Sequence, residues 1–211
     1  MMEELTPDLR NRLLTERWMR VLKHPLVFGV PYMPELNAEY NRMYLQKKRR
    51  LREAHNQQNW SLVVWLHERP FRPEALRRIR SKIESSVEYW KLVRQVWEDT
   101  EAPGLQNQVW QDLLVDKRSN KIAMMTADER NVLLFLPKNI PVWRGGDWIG
   151  RSWTLDRHVA EFFSRRHRGN LMHGTVKKTD VLAYLDGRGE KEILVVNSSL
   201  VQNIQMDDYI T

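Results

Sequence analysis

Three short stretches in the last third of the 211-residue chain gather residue types that could do chemistry: Val142-Trp143-Arg144-Gly145-Gly146, Gly150-Arg151-Ser152-Trp153-Thr154, and Gly187-Arg188-Gly189-Glu190-Lys191-Glu192-Ile193-Leu194-Val195. An arginine fork matches phosphate oxygens in a way that a lysine point charge does not. On a strand, alternation sends Glu190 and Glu192 to one face, two residues apart, and points Lys191 the other way. A carboxylate so placed can stabilise positive charge as it develops, and a second can orient or deprotonate a nucleophile. Taken singly, each stretch has a plain structural reading: an arginine beside two glycines is commonly a turn, Ser-Trp-Thr a piece of strand, and Glu-Lys-Glu a solvated edge. Their weight comes from occurring together, in order and in strand-like context.

Other candidate chemistries are weaker. With no cysteine in the chain, a disulfide framework, a thiolate metal site and a cysteine nucleophile are all excluded. His158, His167 and His173 are too widely spaced for a metal set, and the His158/Glu161 pair lacks a third ligand. Asp180, Asp186, Asp207 and Asp208 fall at expected strand ends, where Asp makes turns. Gly145-Gly146 with Gly150 is no phosphate loop, because the Lys-[Ser/Thr] and the following helix are missing.

Together the three stretches resemble the arginine, serine and glutamate motifs of the ADP-ribosyltransferase superfamily, in the branch built on R, S-x-[ST] and E-x-E. The resemblance covers roughly the last 75 residues. It implies a split β-sandwich core, NAD as substrate, and transfer of ADP-ribose to a macromolecular acceptor. Cleaving the nicotinamide glycosidic bond develops an oxocarbenium-like ribose, as in glycoside hydrolysis. By resemblance Glu192 stabilises that charge and accepts a hydrogen bond from the ribose 2-hydroxyl, while Glu190 serves the acceptor. Arg144 would bind NAD, the Gly145 backbone would hold the nicotinamide amide, Ser152 would position Glu192, and Thr154 would steady the strand. The 183–189 stretch stands where the family has its acceptor-recognising loop. Trp143 stands where the family more often has Tyr, and Trp153 is a bulky middle residue of the serine motif; either could alter closure of the nicotinamide pocket or wall it. The resemblance is to the intracellular mono-ADP-ribosyltransferases of bacterial toxin systems and bacteriophages, and implies an inhibitory antitoxin as a further partner.

The elements expected to position these residues are short strands after Pro137: Pro141 to Arg144, Leu171 to Lys177, Val181 to Leu185, Glu192 to Val196 and Val201 to Met206. A helix from Asp156 to Arg168 lies among them, with Val159, Phe162 and Phe163 at core spacing. Strands with one inserted helix indicate an α+β fold. The first 125 residues read as largely helical. One helix is expected over Leu5 to Leu22 and one after Pro34 through Leu36, Tyr40, Met43, Leu51 and Ala54. Another is entered at Pro73-Glu74 and left before Pro103, with Leu76, Ile79, Ile83, Val87, Trp90, Val93 and Trp97 on one face. Thr126 and Glu129 form a capping-box pattern. The chain thus divides into a basic helical region, 1–125, and a catalytic region, 126–211, with a soft boundary, since the earlier helices could pack on the sheet.

Hydrophobic residues at 42% and charged residues at 29% describe a folded chain, and its formal charge is +7. Residues 1–125 hold 22 Lys+Arg against 16 Asp+Glu, and residues 126–211 hold 12 against 11. Such asymmetry favours an acidic partner, nucleic acid slightly ahead of a protein arginine as acceptor. The cationic clusters are Arg42, Lys47 to Arg50 and Arg52, then Arg77, Arg78, Arg80 and Lys82. No apolar run is long enough for a membrane span, and Met1 to Arg20 is too charged for a signal peptide, so a cytoplasmic protein without membrane partners is expected.

Overall fold

A computed structural model describes residues 3–101 and 103–207 and divides them into two compact units, with the division between Lys82 and Ile83. It falls well before the boundary near residue 125 read from the sequence. The helices between residues 83 and 125 therefore share a unit with the three motifs.

The first unit begins with a one-turn helix, α1 (Pro7–Arg10), followed by an antiparallel meander of β1 (Leu13–Glu16), β2 (Met19–His24) and β3 (Val27–Pro31). The helix expected over Leu5 to Leu22 is not formed. Leu5, Leu9 and Leu13 recur every four residues, as on a helix, but the chain turns at Asn11 and pairs Leu13 with Leu22 and Glu16 with Met19. Arg17, at φ 53°, makes the left-handed turn between the strands. Leu5, Leu9, Leu22, Leu26 and Val27 then pack on Tyr40 and Tyr44 of α2 (Asn37–Asn56). Two shorter helices follow, α3 (Trp60–Trp65), capped by the Asn59 side chain, and α4 (Arg72–Ile79).

The single helix expected from Pro73 to before Pro103 is two helices. After α4 the chain leaves the helical path, and α5 (Ser86–Asp99) starts anew where Ser85 accepts from the Glu88 N–H. The apolar row runs through the break because Ile83 is fully buried outside either α-helix, whereas Val87, one of the expected row, is 40% exposed. The second unit continues with α6 (Asn107–Leu114) and α7 (Ala127–Phe135), whose Thr126/Glu129 capping box is complete.

The rest of this unit is a six-stranded antiparallel sheet of β4 (Asn139–Gly146), β5 (Ser152–Thr154), β6 (Asn170–Lys177), β7 (Val181–Leu185), β8 (Glu192–Val195) and β9 (Val201–Asp207), with α8 (Arg157–His167) between β5 and β6. The spatial order is β7-β8-β5-β4-β6-β9. An α+β class follows from this layout. One joint matters for the site: β4 and β5 share a single pair, Trp143 with Thr154, while β4 and β6 pair along eight residues. The α8 helix packs on β4, burying Ala160 and Ser164; Val159 and Phe163 are only half-buried and Phe162 is 52% exposed, so the expected core face is rotated by about one residue.

Candidate active site

Register places the second and third motifs side by side. Trp143 on β4 pairs with Thr154 on β5, and Thr154 pairs with Glu192 on β8, which makes one cross-sheet row of aromatic, hydroxyl and carboxylate. Ser152 lies two residues from Thr154 on the same face, one strand over from Glu192, and its hydroxyl helps hold the Glu192 pKa down. Glu192 is 2% exposed. Its Oε1 accepts a 2.9 Å hydrogen bond from the Trp97 indole N–H on α5, and its Oε2 lies 3.4 Å from Arg188 Nη2. Burial pushes the Glu192 carboxyl above its ordinary range; the Ser152 hydroxyl, the Arg188 charge and the Trp97 donor pull against it, and Glu190 adds to the rise.

The two glutamates come together by a route the sequence did not indicate. Strand β8 begins only at Glu192, and Lys191 before it has a left-handed φ of 46°, so strict alternation does not reach Glu190. Arg188 joins the carboxylates instead, with its Nη2 also 2.8 Å from Glu190 Oε2. Lys191 does point elsewhere, to Asp156 Oδ2 at 3.0 Å. Thr154 fixes the approach to Glu192, because its hydroxyl donates to the Glu190 carbonyl at 2.7 Å and accepts from the Asp156 N–H at 2.9 Å.

Arg144 reaches this group indirectly. Alternation gives it the side of β4 that carries Val142, away from Trp143 and hence from the Glu192 row. Beyond the single β4–β5 pair, its guanidinium lies against Gly150 and donates to the Ser152 carbonyl at 2.6 Å and the Asp147 carbonyl at 2.5 Å, with Asp147 Oδ1 at 3.2 Å. Arg144 thus meets the second motif at the Ser152 carbonyl alone, and the three motifs do not line one face of the sheet as their order leads one to expect. To take a phosphate, Arg144 must exchange some of these main-chain partners.

Gly145 has a packing reason of its own. A Cβ there would lie 2.1 Å from the Ala160 carbonyl oxygen and 2.2 Å from the Ser164 nitrogen, so only glycine lets α8 sit on β4. The two tryptophans divide. Trp153 is 1% exposed, bonds its indole N–H to the Gly150 carbonyl, and belongs to the core. Trp143 stays half-buried in the Glu192 row, with Arg157 over its ring at 5.1 Å and His173 at 4.8 Å.

Sequence reading missed the frame behind the glutamates. Glu129, the capping residue of α7, is 5% exposed and receives Arg94 from α5 in a two-pronged contact at 2.6 and 2.8 Å. Its Oε1 also accepts from the Asp186 N–H at 2.8 Å, and Asp186 accepts from the Lys191 N–H at 3.0 Å, which closes the 186–191 loop. Burial alone would raise the Glu129 carboxyl, but the Asp186 N–H, Arg94 and the Thr126 N–H outweigh it and hold it below the usual value. Arg94 further bonds Glu98, whose carboxylate lies 2.5 Å from where a Cβ at Gly187 would stand and would have to shift to admit one. The only sequence signal was the capping box, which explains Glu129 as a helix cap and says nothing of the loop.

Of the remaining candidates, His158 lies 3.4 Å from Glu161, and among the described residues no group of three or more His, Asp or Glu side chains is gathered for a metal. Asp208 lies outside the described residues. In the first unit, Lys47 pairs with Glu68, Lys48 with Asp8, and Arg49 more loosely with Glu53 at 3.8 Å, while Arg50 and Arg52 are exposed. Burial lowers the His67 pKa, and the charges of Arg78 on α4 and Lys47 on α2 add to that effect.

No protein-family model, curated protein or solved structure matches the chain.

Proposed function

We propose that the chain is an NAD-dependent mono-ADP-ribosyltransferase of the split β-sandwich type, with its site at Glu192. The observation that carries this reading is a buried carboxylate, held by Trp97 and Arg188, with a second carboxylate on the same arginine. A charge buried among a few fixed donors costs folding free energy, and that cost is repaid where a cation develops against it, as on the ribose when nicotinamide leaves. Glu192 then stabilises the oxocarbenium-like ribose, and Glu190, released from Arg188, takes the proton of the attacking acceptor. The bond from ribose to the nicotinamide nitrogen breaks, nicotinamide leaves with its electron pair, and the acceptor forms the new bond on the opposite face. Arg144, on the other side of β4 from the Glu192 row, can supply the guanidinium for the NAD phosphates only by leaving the Asp147 and Ser152 carbonyls.

The charge distribution favours a nucleic-acid acceptor over a protein arginine. Residues 1–82 hold 17 Lys+Arg against 9 Asp+Glu, while residues 83–211 hold 17 against 18, so the whole excess belongs to the first unit. The reading fits a cytoplasmic toxin, defence or phage effector with an inhibitory antitoxin. No helix among the described residues is long and apolar enough to cross a membrane. Incubating the purified chain with adenylate-labelled NAD and separate RNA, DNA and protein fractions tests it: label on nucleic acid with equal release of nicotinamide is expected. Label on protein alone moves the acceptor to arginine, and intact NAD in every fraction refutes the transferase.

A further inference from the structure

The GRSWT stretch contains one residue that the proposed chemistry leaves unused. Arg151 is partly buried, and its Nε donates to the Val196 carbonyl at 3.0 Å, Nη2 to Gln111 Oε1 at 2.7 Å, and Nη1 to Asn107 Oδ1. All three acceptors are neutral. Burial lowers the Arg151 pKa, and no carboxylate among the described residues offsets it. A cation taken from water without a counter-charge is costly, and three bonds leave two of the five guanidinium N–H groups to spare.

Arg151 lines a cavity of about 470 Å³ in the second unit, together with Asn107, Gln111, Trp148, Ser198 and Ser199. No acidic residue lines it. Its polar groups are amides and hydroxyls able to donate, and Trp148, 53% exposed, offers an indole face at the rim. One fixed positive charge, neutral donors and a free aromatic face suit an anion that carries a planar ring.

We infer that the Arg151 cavity is a nucleotide-binding site, taking a phosphate group on Arg151 and the attached base on Trp148. The phosphate receives the spare N–H groups and supplies the missing counter-charge. A free nucleotide and one nucleotide of a strand present the same chemistry, and the test separates them.

The full chain is titrated calorimetrically with 5′-AMP, inorganic phosphate and a short single-stranded oligoribonucleotide. 5′-AMP should bind more tightly than inorganic phosphate, because stacking on Trp148 adds to the phosphate contact. Trp148→Ala should abolish that advantage. Ser199→Glu places a carboxylate beside Arg151 at an exposed position, and should weaken every ligand by about tenfold or more with unchanged thermal unfolding. Arg151→Gln should do the same, but it also loosens the tie between α6 and β8, so Ser199→Glu decides if that variant unfolds. Tighter binding of the oligonucleotide than of 5′-AMP assigns the site to a strand, and the reverse order to a free nucleotide. Absence of binding by both, or isotherms that neither Trp148→Ala nor Ser199→Glu alters, overturns the inference. No arm contains NAD, so the result is independent of glycosidic cleavage at Glu192.

Discussion

Replacing Trp97 by Phe removes one hydrogen bond from Glu192 while keeping an aromatic ring in the same buried position, which makes it a probe of how the carboxylate is held. The indole N–H donates to Oε1 at 2.9 Å, and the ring meets Trp110 edge-on at 4.8 Å, a contact that a phenyl ring keeps in part. A hydrogen bond to a charged group contributes about 1.5–3 kcal/mol. Losing the donor should therefore raise the Glu192 pKa further above its already elevated value. Carboxyl-carbon NMR titration of Glu192 reads this directly, and the acid limb of nicotinamide release should move up with it while the high-pH plateau changes little. Stability gives a second reading with a fixed sign. A carboxyl whose folded pKa is raised contributes stability below its unfolded pKa and loses it as pH rises through the folded value. The melting-temperature gap between wild type and Trp97→Phe should therefore be wider at neutral than at acidic pH. An unmoved Glu192 titration with a uniformly lowered plateau would mean that Trp97 merely packs, and the argument would fail.

Three further outcomes follow from other contacts. Gly145→Ala should displace α8 or unfold the second unit, a loss of several kcal/mol seen in thermal unfolding, since its Cβ would meet helix backbone rather than a movable side chain. Arg94→Met strands the buried Glu129 carboxylate and should cost about 3–5 kcal/mol in denaturant unfolding. Because Glu129 titrates below its ordinary value, the wild-type contribution is present at neutral pH and fades as acid protonates it, so the deficit of Arg94→Met should shrink on acidification. Reversing exposed Arg50 and Arg52 to Glu should weaken labelling of RNA and flatten its salt dependence, with nicotinamide release unchanged; equal loss of both would make the α2 run structural.

Strands β4 and β6 to β9, helix α8 and the α7 cap were legible because each has a strong local signature: apolar runs bounded by Gly, Asp or Pro, or a Thr with Glu three residues on. The N-terminal meander was not, since Leu5, Leu9 and Leu13 imitate a helix face until the chain turns at Asn11. The α4–α5 break did leave a trace: Ser85 with Glu88 is a start signal, overridden by an apolar row that continues through Ile83. At the site, Ser152 beside Glu192 followed from motif order. The partners that hold them did not, because Trp97 lies 95 residues from Glu192 and Arg94 lies 35 from Glu129. Such pairs exist only after α5 has packed against α7 and β8. Gly145 shows a reason that sequence does not carry, since the helix packing that requires a glycine there appears only once α8 lies on β4.

The central claim is that the buried charge of Glu192 stabilises a developing cation on ribose. Nicotinamide release from NAD by Glu192→Gln, compared with wild type and Glu190→Gln, tests it most directly. The glutamine keeps the shape and can still accept from Trp97 while removing the charge, and it should unfold no sooner than wild type at neutral pH because a buried carboxylate has been neutralised. Release by Glu192→Gln should fall by about two orders of magnitude or more, whereas Glu190→Gln should lose transfer to the acceptor and keep most of the slow hydrolysis. Undiminished nicotinamide release by a folded Glu192→Gln would contradict the account.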